Sequence, residues 1–180
     1  MDEAIRLLAA ECGVSEVVLV GICSGADDAF RMADVDSRVA GIVLLDGVAY
    51  PTFKSRMKLY GSKSLDAGKI VRKLLSPENR GRWLSEGDFR DFPAQEEAAA
   101  RFQRLVARDA RALLLYTGGA ARYFNYAGQA RDCFGPIMDA PQVTVEYWPD
   151  CDHTFYLRND RLRLATRLSA WLRAQFPAKA

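Results

Sequence analysis

Two side chains in this sequence suit nucleophilic chemistry at a carbonyl carbon: the thiol of Cys23 and the imidazole of His153, the chain's one histidine. Cys23 lies in Gly21-Ile22-Cys23-Ser24-Gly25, directly after the apolar run Val17-Val18-Leu19-Val20. A nucleophile elbow, in which a strand turns sharply into a helix, calls for small residues two before and two after the nucleophile. Gly21 and Gly25 fill those places if Cys23 is the nucleophile. With Ser24 in that role, Ile22 would stand where a small residue is needed. Such a turn strains the backbone and presents its side chain at the top of the sheet. It also sets Cys23 at a helix N-terminus, whose partial positive charge favours a thiolate. The Ser24 N–H would then be half of an oxyanion hole. The same pentapeptide is compatible with a tight turn around a buried structural cysteine. A phosphate-binding turn fits less well, because no Lys follows the glycine and Asp27 and Asp28 would repel an anion.

The elements that must position these groups follow from periodicity. Residues 2–12 read as a short amphipathic helix stopped by Gly13. Val17 to Val20 suits a strand buried on both faces, as in a parallel sheet. Ala26 to Ala33 reads as a helix, and Val39 to Leu45 as a second strand ending at Asp46-Gly47. Residues 50–93, rich in Lys, Arg, Gly and Ser, read as an insertion with short helices that could form a cap or lid. Gln95 to Arg108 is a helix, Ala112 to Tyr116 a strand, and Tyr126 to Phe134 a helical candidate. Val143 to Tyr147 is a fourth strand, followed by the loop that carries His153. The last helix, about Asp160 to Gln175, has Leu162, Leu164, Leu168, Trp171 and Leu172 as its buried stripe. Strands alternating with helices predict one three-layer α/β domain of about four mainly parallel strands over residues 1–180. In such sheets the chemistry lies beyond the carboxyl ends of the strands.

Together, Gly21-Ile22-Cys23-Ser24-Gly25-Ala26, Val43-Leu44-Leu45-Asp46 and Pro149-Asp150-Cys151-Asp152-His153-Thr154-Phe155 resemble the α/β-fold hydrolases. The cysteine at the elbow is similar to that of dienelactone hydrolases and exosortase-associated hydrolases. The resemblance implies a chain order of nucleophile, acid, histidine, with the histidine in the loop after the last strand, where His153 falls. The sequence departs from the pattern twice. At ~30 residues per strand–helix–strand unit, roughly 100 residues of upstream strands are expected and not present. Those residues would supply the second oxyanion donor and the strand beside Val17 to Val20. That strand is therefore expected at an exposed edge, to be covered by a homodimer or a partner chain. The second departure is the acid: the loop after Tyr116, Thr117-Gly118-Gly119-Ala120-Ala121-Arg122, has no carboxylate. Asp46, after the preceding strand, ranks first as the acid, Asp132 second and Asp152 third. A Cys–His pair could also work without a strong acid.

Composition narrows the rest. With 25 basic and 23 acidic residues interspersed, the net charge of +2 gives no electrostatic reason to expect nucleic acid. No apolar run reaches the ~18 residues of a membrane span, and the acidic N-terminus is unlike a signal peptide. Cys12, Cys23, Cys133 and Cys151 show no zinc-like spacing, and with no secretory signal the expected compartment is the cytoplasm; the expected acyl-transfer chemistry implies neither metal nor cofactor. Tyr123, Phe124, Asn125, Tyr126, Phe53, Tyr60, Trp83, Phe89 and Phe92 could line an apolar substrate pocket or simply pack the core. The functional expectation is hydrolysis of a small-molecule ester, thioester or lactone, with Cys23 as nucleophile, His153 as base and Asp46 as acid. The alternative is a non-catalytic hydrolase-like module that binds or assembles, or a fragment of a longer gene product.

Overall fold

A computed structural model describes residues 2–61, 90 and 92–177. Four parallel strands form one sheet in the order β1 (Val17–Ile22), β2 (Val39–Leu45), β3 (Arg111–Thr117), β4 (Val143–Trp148). The helices are α1 (Asp2–Cys12), α2 (Ser24–Val35), α3 (Phe53–Gly61), α4 (Gln95–Ala107), α5 (Gln129–Phe134) and α6 (Arg158–Gln175). This is the three-layer α/β fold that the alternation predicts.

The central strands β2 and β3 are almost wholly apolar because helices cover both of their faces. Successive side chains point to opposite faces. Ile42, Leu44, Leu114 and Tyr116 enter one core, with Phe30 of α2 and Phe102 of α4, whose rings lie 4.5 Å apart. Val43, Leu45, Leu113 and Leu115 enter the other, with Trp171 of α6, Trp148, Cys151 and Phe155. Gly41 admits the ring of Phe176, since a Cβ there would sit 2.8 Å from it. The outer strand β1 is an edge, as expected, but it is not buried on both faces as its apolar run suggests: Val20 and Ile22 are exposed, because no further strand of the described residues flanks it.

Two expectations need correction. Leu162 does not belong to the buried stripe of α6; it is exposed, while Leu164, Leu168, Trp171 and Leu172 pack inward. Positions 164, 168, 171 and 172 follow the helical repeat, and a residue two before the first of them points away from that face. The helix expected from Tyr126 begins at Gln129. Of the expected insertion at 50–93, α3 and the segment returning through Arg90, Phe92 and Pro93 are described; residues 62–89, with Trp83 and Phe89, lie outside the described residues, as does the Tyr60 side chain.

The turn from α2 into β2 is held by Asp36, whose carboxylate accepts from the Arg38 N–H at 3.0 Å and from its Nε at 2.9 Å. These bonds hold the Asp36 carboxyl at about 2, below its ordinary 3.8. A depressed carboxyl stabilises the fold once ionised in both states, above about pH 4, and that contribution is lost as pH falls toward 2. Asp36→Asn is therefore expected to lower the melting temperature by about 2–4 °C at pH 7, with the gap from wild type closing near pH 2. A gap independent of pH would contradict the assignment.

Candidate active site

The site is assembled from the carboxyl ends of β1, β2 and β3 and the loop after β4. At the end of β1, Cys23 has φ 55° and ψ −124°, in the positive-φ region that costs a non-glycine residue roughly 1–3 kcal/mol. Its N–H donates to Leu45 O at 3.0 Å, carrying the β1–β2 ladder one residue further. Its carbonyl accepts from the N–H groups of Ala26 at 3.0 Å and Asp27 at 3.3 Å. Ser24 and Gly25 open α2, where N–H groups have no acceptor within the helix. The strain falls on Cys23 and not on Ser24, and the thiol is half-buried.

Of the two flanking glycines, only one is sterically required. A Cβ on Gly21 would lie 2.2 Å from Gly25 O, whereas a Cβ on Gly25 would meet nothing within 4 Å. The close approach is between position 21 and the backbone of 25, and a side chain at 25 points away from it. The expectation of a small residue at both places is thus corrected at Gly25.

At the end of β2, Asp46 has no solvent exposure and also a positive φ of 49°. Its Oδ1 accepts from the Thr117 N–H at 2.6 Å, and its Oδ2 from the Thr117 hydroxyl at 2.6 Å. His153 Nδ1 lies 2.7 Å from the same Oδ2. With Nδ1–H directed to the carboxylate, Nε2 is the basic atom of the ring. Thus Asp46, the first-ranked carboxylate, is the one brought against His153. Asp132 instead accepts from the Tyr126 hydroxyl at 2.5 Å. Asp152 accepts from the Thr154 N–H at 2.7 Å and the Tyr156 N–H at 2.9 Å, shaping the histidine loop.

The last residue of β3 and the turn after it carry no carboxylate but hold the other two groups. Thr117 clamps Asp46, and the Gly118 N–H donates to Cys151 O at 3.0 Å. Gly119 lies so close to His153 that a Cβ would stand 2.6 Å from the histidine's own Cβ. Thr117-Gly118-Gly119 is legible as a strand-ending turn; its role as a template for the histidine loop is visible only in three dimensions.

A second group escapes the sequence reading entirely. Arg90, its side chain only 6% exposed, pairs bidentately with Asp27 in the first turn of α2, through Nε and Nη2 at 2.7 Å each. Its Nη1 donates at 2.8 Å both to Asp46 O and to the Tyr123 hydroxyl, which itself donates to Asp46 O at 3.0 Å. Burial opposes the guanidinium charge, but the bonds to Asp27 and the nearby negative groups outweigh it and raise its pKa. Burial likewise pushes the Tyr123 phenol up, against the pull of Arg90, so it stays a neutral donor. Asp27 therefore does not stand at the helix start as the unpaired anion the sequence suggests. Of the aromatic candidates, Tyr123 joins this network, Phe124 is buried and stacked on Tyr116 at 3.7 Å, and Phe53 is exposed. No cluster of His, Cys, Asp and Glu among the described residues could hold a metal ion, and no described helix is long and apolar enough to cross a membrane.

No protein-family model and no curated protein sequence matches the chain. Its fold is similar to the esterase domain of a Rhodothermus marinus protein, with TM-score 0.52 and 18% identity over 95% of this chain and 65% of that one. Two further solved structures are a carboxylesterase of Nitrososphaera gargenis (TM-score 0.48, 12% identity, 96% and 70% of the two chains) and a proline iminopeptidase-related protein of Thermus thermophilus (0.45, 17%, 96% and 69%). The first likeness is one of fold: a parallel sheet flanked by helices. The chain spans 65% of the length of that esterase domain.

The glycine asymmetry is directly measurable. Gly21→Ala is expected to lose about 1–3 kcal/mol or more through overpacking. Gly25→Ala, on a helix with open space, is expected to be neutral or to gain up to about 1 kcal/mol. Chemical denaturation of both variants checks this, and the reverse order would show the turn to be built differently.

Proposed function

We propose that this chain is a hydrolase acting on a small-molecule ester, thioester or lactone through Cys23, His153 and Asp46. The observation that carries the reading is the 2.7 Å contact between His153 Nδ1 and an Asp46 carboxylate with no solvent exposure, at the end of the strand next to the one that presents Cys23 in a positive-φ turn. An imidazole held in this way keeps its Nε2 available as a base.

In the proposed reaction the Cys23 proton moves to His153 Nε2 as the sulfur adds to the substrate carbonyl carbon. The carbonyl electron pair moves onto oxygen, where the Ser24 N–H at the head of α2 stabilises it. Collapse expels the alcohol or thiol, which takes the proton back from Nε2 and leaves an acyl-Cys23 thioester. Water then adds with its proton passing to Nε2, and the carboxylic acid leaves as the thiol reforms. Asp46 keeps the ring in one tautomer and supports the imidazolium. The likeness of fold to an esterase domain supports this class of chemistry.

The test is turnover of p-nitrophenyl acetate, a phenyl thioester and an aryl lactone. Cys23→Ala is expected to fall to the uncatalysed rate. His153→Ala is expected to lose about 10²–10⁴-fold, the usual range for a general base. Asp46→Asn is expected to lose less than His153→Ala, because a thiol needs less help to ionise than a hydroxyl. Turnover that survives Cys23→Ala would overturn the proposal, and a folded chain inert toward all three substrates would leave a binding module as the reading.

A further inference from the structure

The proposed chemistry places negative charge at the Cys23 sulfur and then on the substrate oxygen, both at the head of α2. A carboxylate already stands there. Asp27 lies in the first turn of the helix, four residues after Cys23, and its backbone N–H binds the Cys23 carbonyl at 3.3 Å. A lone anion in that turn would cancel the favourable field of the helix terminus. It is not alone, because the buried Arg90 guanidinium grips it with two parallel bonds of 2.7 Å. The same guanidinium continues to Asp46 O and to Tyr123 Oη, each at 2.8 Å. One side chain therefore joins the turn that carries Cys23 to the backbone of the residue that orients His153.

Resting on the catalytic reading above, we propose that Arg90 is a positioning and charge-compensating residue of the site. It neutralises Asp27 beside the Cys23 turn and ties that turn to Asp46, so that negative charge forming at Cys23 meets no uncompensated anion. Its planar fork suits this role in a way that a lysine ammonium does not, since one group must serve a carboxylate, a carbonyl and a hydroxyl at once.

A structural clamp and a charge compensator make different predictions for the two partners. If Arg90 only holds the turn together, removing either partner loosens it, and both changes disturb Cys23 alike. If its charge matters, removing the cation and removing the anion act on Cys23 with opposite sign. The experiment measures the carboxamidomethylation rate of Cys23 at pH 7 by peptide mass spectrometry, in a Cys12→Ser background, with the melting temperature of each variant alongside. Arg90→Met is expected to slow Cys23 by about five-fold, the scale of one unit charge acting through a partly solvated site. Asp27→Asn is expected to react at or above the parent rate, and the double variant to return toward the parent, although both single changes lower the melting temperature. Arg90→Lys keeps the charge and loses the fork; it is expected to hold most of the Cys23 rate while melting lower, and it serves if Arg90→Met does not fold. Rates that fall together in Arg90→Met and Asp27→Asn, or an Arg90→Met rate equal to the parent's, would overturn the proposal. Alkylation does not require turnover, so loss of this inference is separable from loss of the hydrolase reading, which stands on the Cys23→Ala turnover assay.

Discussion

A carboxylate without solvent exposure is tolerated only where its charge is matched by hydrogen bonds, because an unpaired buried ion costs several kcal/mol. Asp46 is such a group, and much of the local structure follows from meeting its needs. Two donors come from Thr117 at the end of the adjacent strand, and the imidazole of His153 approaches Oδ2 from the loop after the last strand. The Asp46 main-chain carbonyl is equally committed, to Arg90 and to Tyr123. One residue thus collects contacts from the end of β3 and the turn after it, from the loop after β4 and from the segment that returns into α4. It can do so because parallel strands in the order of the chain place their carboxyl ends side by side.

That convergence also explains where the backbone is bent out of its usual range. The described non-glycine residues with positive φ include Cys23 and Asp46 at consecutive strand ends and Phe155 two residues after His153. Each is held by its surroundings: Cys23 by hydrogen bonds to Leu45 and from the first turn of α2, Asp46 by Thr117, and Phe155 by burial against the α6 core. Strain of this kind persists only where neighbouring contacts over-determine the conformation, and it gathers where side chains are aimed at a common point.

The four strands and their parallel sheet were largely legible in the sequence, for identifiable reasons, although their order was not. Val39 to Leu45 is an unbroken apolar run closed by Asp-Gly, so its bounds could be read to the residue. Asp46 ranked first only through the resemblance to hydrolases that place the acid after that strand, and it is the carboxylate that lies 2.7 Å from His153. What escaped depends on contacts between segments distant in the chain. Thr117-Gly118-Gly119 looks like a plain turn until His153 is seen packed against it. Arg90 sits 63 residues from Asp27 with no local pattern to mark it. Gly25 matched a motif but has open space beside it, and Leu162 matched an apolar tally without matching the helical phase of its neighbours.

The central claim is that Cys23 and His153 act as a nucleophile and its base. Buried Cys133 and Cys151 are both pushed up to about 11 by desolvation, so in the folded protein only Cys12 competes for an alkylating reagent, and Cys12→Ser removes it. The most direct test is the iodoacetamide rate of Cys23 across pH 5–9 in that background, with and without His153→Ala, the reference being a free thiol that titrates near ~8.5. The account predicts a rate that persists well below the free-thiol range and is lost with the histidine. A slow, ordinary thiol profile that is the same in both proteins would contradict it.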